Sequence, residues 1–169
     1  WLGNSYRFNG QYDKAIESLL KAVEINPSNA DSWHELGHLY HDSKQYDKAI
    51  EPLLKAIELD PDKAIDCDYP NYVSLLVSSY NLNNQPDKAL NLLQKTVELN
   101  PNNADNWYYL ARSYIRNGQY DKAIESSLKA IEINPNSRYY WFVLGLSYYD
   151  NEQYKEAIDS LSKAVEILK

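Results

Sequence analysis

Apolar and small residues recur along the chain at helical spacing, in pairs of stripes separated by short polar segments. In one such pair, Trp33, Leu36, Gly37 and Tyr40 lie at positions i, i+3, i+4 and i+7, which form one face of a helix. A polar interruption follows, and a second stripe runs from 49 to 57. This pattern predicts two antiparallel helices joined by a short turn.

A heptapeptide at the start of the second stripe occurs five times. It reads QYDKAIE at 11–17, 45–51 and 119–125, QPDKALN at 85–91, and QYKEAID at 153–159. Successive copies begin 34, 40, 34 and 34 residues apart. A nearly constant period of this length is typical of stacked helix–turn–helix units rather than of one globular core.

Proline preceded by Asn or Asp marks the end of a unit at Pro27, Pro61, Pro101 and Pro135. The residue before proline avoids the α region and Asn tolerates the left-handed region, so we predict a helix stop and a turn there. The one longer step reflects six additional residues, 64–69. Because proline suits a first helical turn, we expect the third unit to begin at Pro70, with a changed stacking angle.

This pattern resembles the tetratricopeptide repeat, which reads W-x2-L-G-x2-Y and then has Ala, Ala and Pro at set distances. The second unit matches it completely, with Trp33, Leu36, Gly37, Tyr40, Ala49, Ala56 and Pro61. The fourth unit has Ala111 in place of the glycine, and the third is the most divergent, with Val73 in place of the tryptophan. The resemblance covers essentially the whole chain.

The resemblance implies an all-α fold, a right-handed superhelical solenoid of antiparallel helix pairs. We therefore expect residues 1–169 to form a single array. Its repeats are predicted at 1–29 (truncated), 30–63, 70–103 (preceded by the insertion 64–69), 104–137 and 138–169. The chain contains no Met, so we also expect it to be part of a longer protein.

Composition narrows the possible partners. The chain has 17 basic and 24 acidic residues and a net charge of −7, which argues against broad nucleic-acid binding. No apolar run approaches the roughly 18 residues that span a bilayer. Cys67 is the only cysteine, which fits a reducing compartment, and we expect a cytoplasmic location.

The resemblance implies that the first helices of successive repeats line a concave groove where a peptide binds. We predict the following peptide-binding residues: Asn4, Arg7, His34, His38, His41, Asn71, Ser78, Asn81, Tyr108, Tyr109, Arg112, Ile115, Arg116, Tyr139, Phe142, Leu146 and Tyr149. The last two repeats supply most of the aromatic and arginine residues, which are the types that anchor interfaces. An alternative is that Phe142, Val143 and Leu146 pack against a further repeat or helix.

We therefore predict a non-enzymatic protein–protein interaction scaffold that needs no cofactor. Its partner would be a protein or peptide segment that carries apolar anchors and an acidic group, the latter pairing with Arg112 and Arg116. Two alternatives remain open: self-association through uncapped ends of the array, and a regulatory module beside an enzyme domain.

Residues 34–38 read His-Glu-Leu-Gly-His, which is the zinc-protease signature H-E-x-x-H. Leu36 and Gly37 already belong to the repeat pattern, so the match carries little weight. A catalytic zinc also needs a third protein ligand. Its only evident source is the insertion, with Asp66, Cys67 and Asp68. We predict no catalytic and no metal site, with His34 and His38 as the sole candidates for a metal.

Overall fold

The structure is a computed structural model that describes residues 12–61, 63 and 72–167. Within these ranges it contains nine α-helices and no strand, so the predicted all-α fold is confirmed. The helices are α1 (Tyr12–Ile25), α2 (Ala30–Asp42), α3 (Tyr46–Leu59), α4 (Tyr72–Leu82), α5 (Pro86–Leu99), α6 (Ala104–Arg116), α7 (Tyr120–Ile133), α8 (Arg138–Asp150) and α9 (Tyr154–Glu166).

The chain divides into two compact units, Trp1–Gln85 and Pro86–Lys169. In the first unit, α2 packs against α1 and α3, and α4 packs against α3. In the second unit, α6 packs against α5 and α7, and α8 packs against α7 and α9. Short turns join α1 to α2 and α2 to α3 in the first unit, and each helix from α5 to α8 to the next one in the second unit, so the helices of each of these pairs run antiparallel. The predicted ranges 30–63, 104–137 and 138–169 each contain two helices, while the single array over the whole chain remains a prediction.

A tight turn joins the two helices of a repeat and places one residue in the left-handed region. These residues are Lys44 (φ 62°), Asn84 (φ 56°), Gly118 (φ 68°) and Glu152 (φ 62°). In each turn, the backbone N–H of the Gln that begins the heptapeptide donates to the backbone carbonyl of the repeat's tyrosine. The bond from Gln45 to Tyr40, for example, is 2.8 Å long. This is the Schellman pattern of helix termination. It accounts for the constant distance between the tyrosine and the heptapeptide.

The Asn or Asp before proline ends the second helix of a repeat, as predicted. Helix α3 ends at Leu59 and α7 ends at Ile133. The residues that follow, Asp60 and Asn134, have φ values of −142° and −137°. Neither residue therefore uses the left-handed region that Asn tolerates. A residue that precedes proline prefers extended backbone, and this preference prevails over the tolerance of Asn for the left-handed region.

The tryptophan of the repeat motif is bonded to the proline that precedes it. The indole Nε1 of Trp33 donates to the carbonyl oxygen of Pro27 at 2.8 Å. The same bond joins Trp107 to Pro101 at 2.7 Å and Trp141 to Pro135 at 2.8 Å. In all three, six residues separate donor from acceptor in sequence. The tryptophan thus fixes the turn between repeats as well as covering the core.

Candidate functional site

A cavity of about 440 Å³ that is open to solvent lies between helices α6 and α8 of the second unit. Its walls are two helical stripes that face each other, formed by Tyr108, Arg112, Ile115 and Arg116 on α6 and by Tyr139, Phe142, Val143 and Leu146 on α8. The structure thus brings together seven of the predicted peptide-binding residues. The eighth lining residue, Val143, was not among the predicted peptide-binding residues.

The α8 wall is apolar and partly open to solvent. The side chains of Tyr139 and Phe142 are 55% and 49% exposed, whereas Val143 is only 3% exposed. Val143 is therefore already covered within the second unit, and the alternative that it packs against a further repeat is wrong for this residue. Large exposed aromatic surfaces around a small apolar floor are typical of an interaction site.

The α6 wall carries the positive charge of the cavity. Arg112 and Arg116 are one helical turn apart, both are exposed, and no carboxylate is among the lining residues. The guanidinium of Arg112 lies 5.5 Å from the ring centroid of Tyr108, and its Nη1 donates to the hydroxyl of that tyrosine at 3.3 Å. At the edge of the cavity, the guanidinium of Arg138 stacks on Tyr139 at 4.6 Å.

A hydrogen bond between the two walls fixes their spacing. The hydroxyl of Tyr140 donates to Oδ1 of Asp105 at 2.6 Å, which joins α8 to the first turn of α6. The ring of Tyr140 also lies 5.6 Å from that of Tyr108. Sequence reasoning gave Tyr140 no role. Two features of the sequence could have revealed this role. Tyr140 directly precedes the motif tryptophan, and the preceding repeat carries a carboxylate, Asp105, two residues before its own tryptophan.

Two predicted aromatic residues of the second unit lie outside the cavity lining. Tyr109 contacts Tyr108 edge to face, with ring centroids 5.1 Å apart. Tyr149 is 58% exposed and makes a similar contact with Tyr154 of α9 at 5.7 Å. Tyr109 thus contacts a residue of the α6 wall without lining the cavity, and Tyr149 lies beside α9.

In the first unit, the predicted site residue His34 takes part in a contact network between α2 and α4. Its ring stacks on Tyr72 with centroids 4.4 Å apart. The Tyr72 hydroxyl donates to Asp31 at 2.9 Å, which matches the Tyr140–Asp105 bond of the second unit. Lys63 also donates to Asp31, at 2.7 Å. The bonds from Lys63 and Tyr72 hold the pKa of Asp31 below its ordinary value, while burial and the bond to Asp31 raise the pKa of Tyr72.

The other predicted residues of the first unit are partly buried along the same two helices. Nε2 of His41 lies 3.0 Å from Oγ of Ser78, which joins α2 to α4 a second time. Burial lowers the pKa of His41, and the carboxylate of Asp42 partly opposes this shift. His38 Nε2 lies 3.6 Å from Asp42, and Asn81 is half-buried on α4. His41 and Ser78 therefore connect α2 to α4, whereas the contact of His38 with Asp42 lies within α2.

The structure does not test the candidate metal site in full. The rings of His34 and His38 are 5.9 Å apart. In 12–61, 63 and 72–167, no three His, Cys, Asp or Glu residues are grouped so that they could hold a metal ion. The third-ligand candidates at 66–68 lie outside the described residues, as do the predicted peptide-binding residues Asn4, Arg7 and Asn71.

None of the helices in the described part of the chain combines the length and apolar character needed to cross a membrane.

Short turns, antiparallel helix pairs that recur with the repeat, and a cavity between successive first helices define the class of helical repeat proteins. The chain belongs to the tetratricopeptide repeat family. Family models described as TPR repeat and Tetratricopeptide repeat match residues 3–43 and 30–67. A model described as Anaphase-promoting complex, cyclosome, subunit 3 matches residues 68–125 and 82–164. The resemblance seen in the sequence is thereby confirmed.

Solved structures of similar fold include the following relatives. A crystal structure of MamA is 30% identical, with a TM-score of 0.80, and the match covers 99% of this chain and 94% of that one. MamA from Desulfovibrio magneticus RS-1, residue 41 to its end, is 20% identical, with a TM-score of 0.79 and coverage of 98% and 90%. YrrB, described as a TPR protein with an unusual peptide-binding site, is 23% identical, with a TM-score of 0.72 and coverage of 98% and 82%. No curated protein matches the chain by sequence.

Proposed function

We propose that the chain is a non-enzymatic protein–protein interaction scaffold that binds a segment of a partner protein in the cavity between α6 and α8. The observation that supports this most directly is the cavity's composition. Exposed aromatic side chains and two arginines converge there, with no carboxylate among the lining residues. Peptide binding has a precedent in this fold, since YrrB is described as having an unusual peptide-binding site.

Charge favours an acidic partner segment. The chain as a whole carries a net charge of −7, yet α6 and α8 contain no lysine and hold Arg112, Arg116 and Arg138. The only other arginine in the sequence is Arg7, whereas 13 of the 17 basic residues are lysines. Arginine pairs with carboxylates through two parallel hydrogen bonds, which lysine cannot do. An Asp, a Glu or a free carboxyl terminus would fit this wall.

Apolar anchoring would come from the opposite wall. Phe142 and Tyr139 each leave about half of their surface open to solvent, and Leu146 is half-buried beside them. A leucine or aromatic side chain of the partner could cover these surfaces, each such burial contributing roughly 1–2 kcal/mol. One apolar anchor and one carboxylate, held a few ångströms apart, are the recognition unit that we propose.

A selection from random peptides tests the proposal, because it does not require the natural partner to be identified. Peptides displayed on phage would be selected against the immobilised chain, and binding of the enriched sequences measured by fluorescence polarisation. We expect an aromatic residue or leucine close to Asp or Glu. The double variant Tyr108→Ala with Arg112→Ala should weaken binding by about 10- to 100-fold while leaving helicity unchanged. Binding should also weaken as salt rises.

The matched control removes the same kinds of side chain from another surface. Leu128 is 46% exposed on α7 and Lys129 follows it, so Leu128→Ala with Lys129→Ala also deletes one apolar and one basic side chain. Selected peptides should bind this control as they bind the parent chain. Equal loss in both variants, or enrichment of basic peptides, would refute the assignment of the cavity.

The proposed scaffold requires no cofactor and acts on protein rather than on nucleic acid or membrane. We also propose a cytoplasmic location, for which the support is the single cysteine, Cys67.

A further inference from the structure

Helix α9 exposes an apolar stripe on its outer face. Tyr154, Ile158 and Val165 are 56%, 65% and 56% exposed. Their spacing of four and seven residues places them on one side of the helix, with the half-buried Leu161 between them. No helix of the described residues covers this side, so several large apolar side chains adjoin one another in solvent.

Earlier helices of the same unit show what such a stripe binds. The positions 34 residues before Leu161 and Val165 are Ser127 and Ile131 of α7, which are 1% and 9% exposed. Ile131 belongs to a core cluster with residues of α8, the antiparallel helix that follows. On α5, the residue equivalent to Val165 is Val97, which is 6% exposed. On α5 and α7, where another helix of the unit follows, the equivalent positions are therefore buried. We take the exposed stripe of α9 to be a surface on which a helix can dock in the same way.

We infer that α9 docks antiparallel on α9 of a second copy of this chain. The second α9 would take the place that α8 takes on α7. In this pairing, Tyr154 lies opposite the partner's Val165, and Ile158 lies opposite the partner's Leu161. The stripe has a similar apolar width at both ends, so it is complementary to itself when reversed. A two-fold contact of this kind closes at a dimer.

Charges at the border of the stripe favour the antiparallel direction. Lys155 lies on the solvent side near the start of α9, and Glu166 lies on the same side at its end. Antiparallel pairing places Lys155 beside the partner's Glu166 twice in the dimer. Glu166 already accepts from Lys163 at 3.0 Å through Oε2, and its second oxygen is available for this contact. In a parallel two-fold pair, these residues of the two copies would lie on opposite borders of the contact, so neither ion pair could form.

Sedimentation equilibrium of the chain over a wide concentration range tests this inference. We expect a reversible monomer–dimer equilibrium. Ile158→Glu should raise the dimer dissociation constant by about 30-fold or more, because it places a charge at the centre of the contact. Its matched control is Leu128→Glu on α7, which alters a comparably exposed apolar residue and should leave the equilibrium unchanged. Far-UV circular dichroism would verify that both variants keep their helices.

Charge reversal tests the direction of pairing. Lys155→Glu and Glu166→Lys should each weaken the dimer several-fold, and the two changes together should restore it. A chain that stays monomeric at every concentration would overturn the inference, as would species that grow beyond a dimer. Failure of the double reversal to restore the dimer would overturn the antiparallel register. The variant Tyr108→Ala with Arg112→Ala should dimerise normally, which separates this surface from the proposed peptide cavity.

Discussion

Replacing Gly37 or Gly145 with alanine should have different effects, although the two glycines have nearly identical surroundings. At each position an added Cβ would lie 2.6 Å from the Cγ of a leucine on the second helix of the repeat, and 3.3 Å from a backbone carbonyl oxygen. The leucine is Leu53 beside Gly37 and Leu161 beside Gly145. Either Cβ can be accommodated only if the leucine moves.

The two leucines differ in their freedom to move. Leu53 is 0% exposed and enclosed by its neighbours, whereas Leu161 is half-buried at the end of the second unit. Alanine gains about 1 kcal/mol over glycine inside a helix, and overpacking of a closed core costs about 1–3 kcal/mol. We therefore expect Gly37→Ala to destabilise by about 1 kcal/mol, and Gly145→Ala to be neutral or stabilising by up to about 1 kcal/mol.

Urea denaturation followed by far-UV circular dichroism measures this difference, at a concentration low enough to keep the chain monomeric. Native-state hydrogen exchange of α2 and α8 would assign each effect to its own unit, because repeat proteins need not unfold in one step. Equal effects of the two substitutions, within about 0.5 kcal/mol, would refute the reasoning, because they would show that the leucine's freedom to move does not determine the cost.

Three further outcomes follow from individual contacts. Glu152→Gly should raise the melting temperature, because it removes about 1 kcal/mol of left-handed strain, and Gly118→Ala should lower it to a similar extent. Trp107→Phe should destabilise the second unit by about 1 kcal/mol in urea titrations, through loss of the indole hydrogen bond. Burial lowers the pKa of His41 in the folded state, so the unfolded chain binds a proton more readily. Stability should therefore be full above about pH 6.5, the ordinary histidine pKa, and should decline below it as the pH falls toward the lower folded-state pKa. His41→Gln, which can still bond to Ser78, should flatten this pH dependence in denaturation experiments at several pH values.

Features that depend on one helix or one turn were predictable from the sequence. Helical spacing and the Asn-Pro or Asp-Pro pairs located the ends of the helices, because these signals act within a few residues. The shared position of several predicted residues along one cavity was also predictable, whereas their binding of a peptide stays a prediction. Residues one step from the stripe that packs inside the repeat, such as Tyr108 and Phe142, must face another side of the helix, and in successive first helices those sides meet.

Contacts between neighbouring repeats were not predictable in the same way. Nothing in the spacing of α2 indicates that His34 stacks on Tyr72, or that the hydroxyl of Tyr72 bonds to Asp31. Such contacts depend on which side chain of the next repeat lies opposite, and helical periodicity describes one helix at a time. The left-handed turn residues were missed for a related reason. Lys44 and Glu152 are poor left-handed formers, and the six-residue Schellman geometry imposes that conformation on them.

The bond from tryptophan to proline restricts where this protein can change length. An indole that must reach a carbonyl six residues earlier tolerates no added residue between them. Where the chain has gained residues, between Pro61 and position 73, valine stands in place of tryptophan and the donor is gone. Engineers who wish to graft a loop or a reporter domain should therefore use this junction, and should expect grafts at the other three to strain the protein.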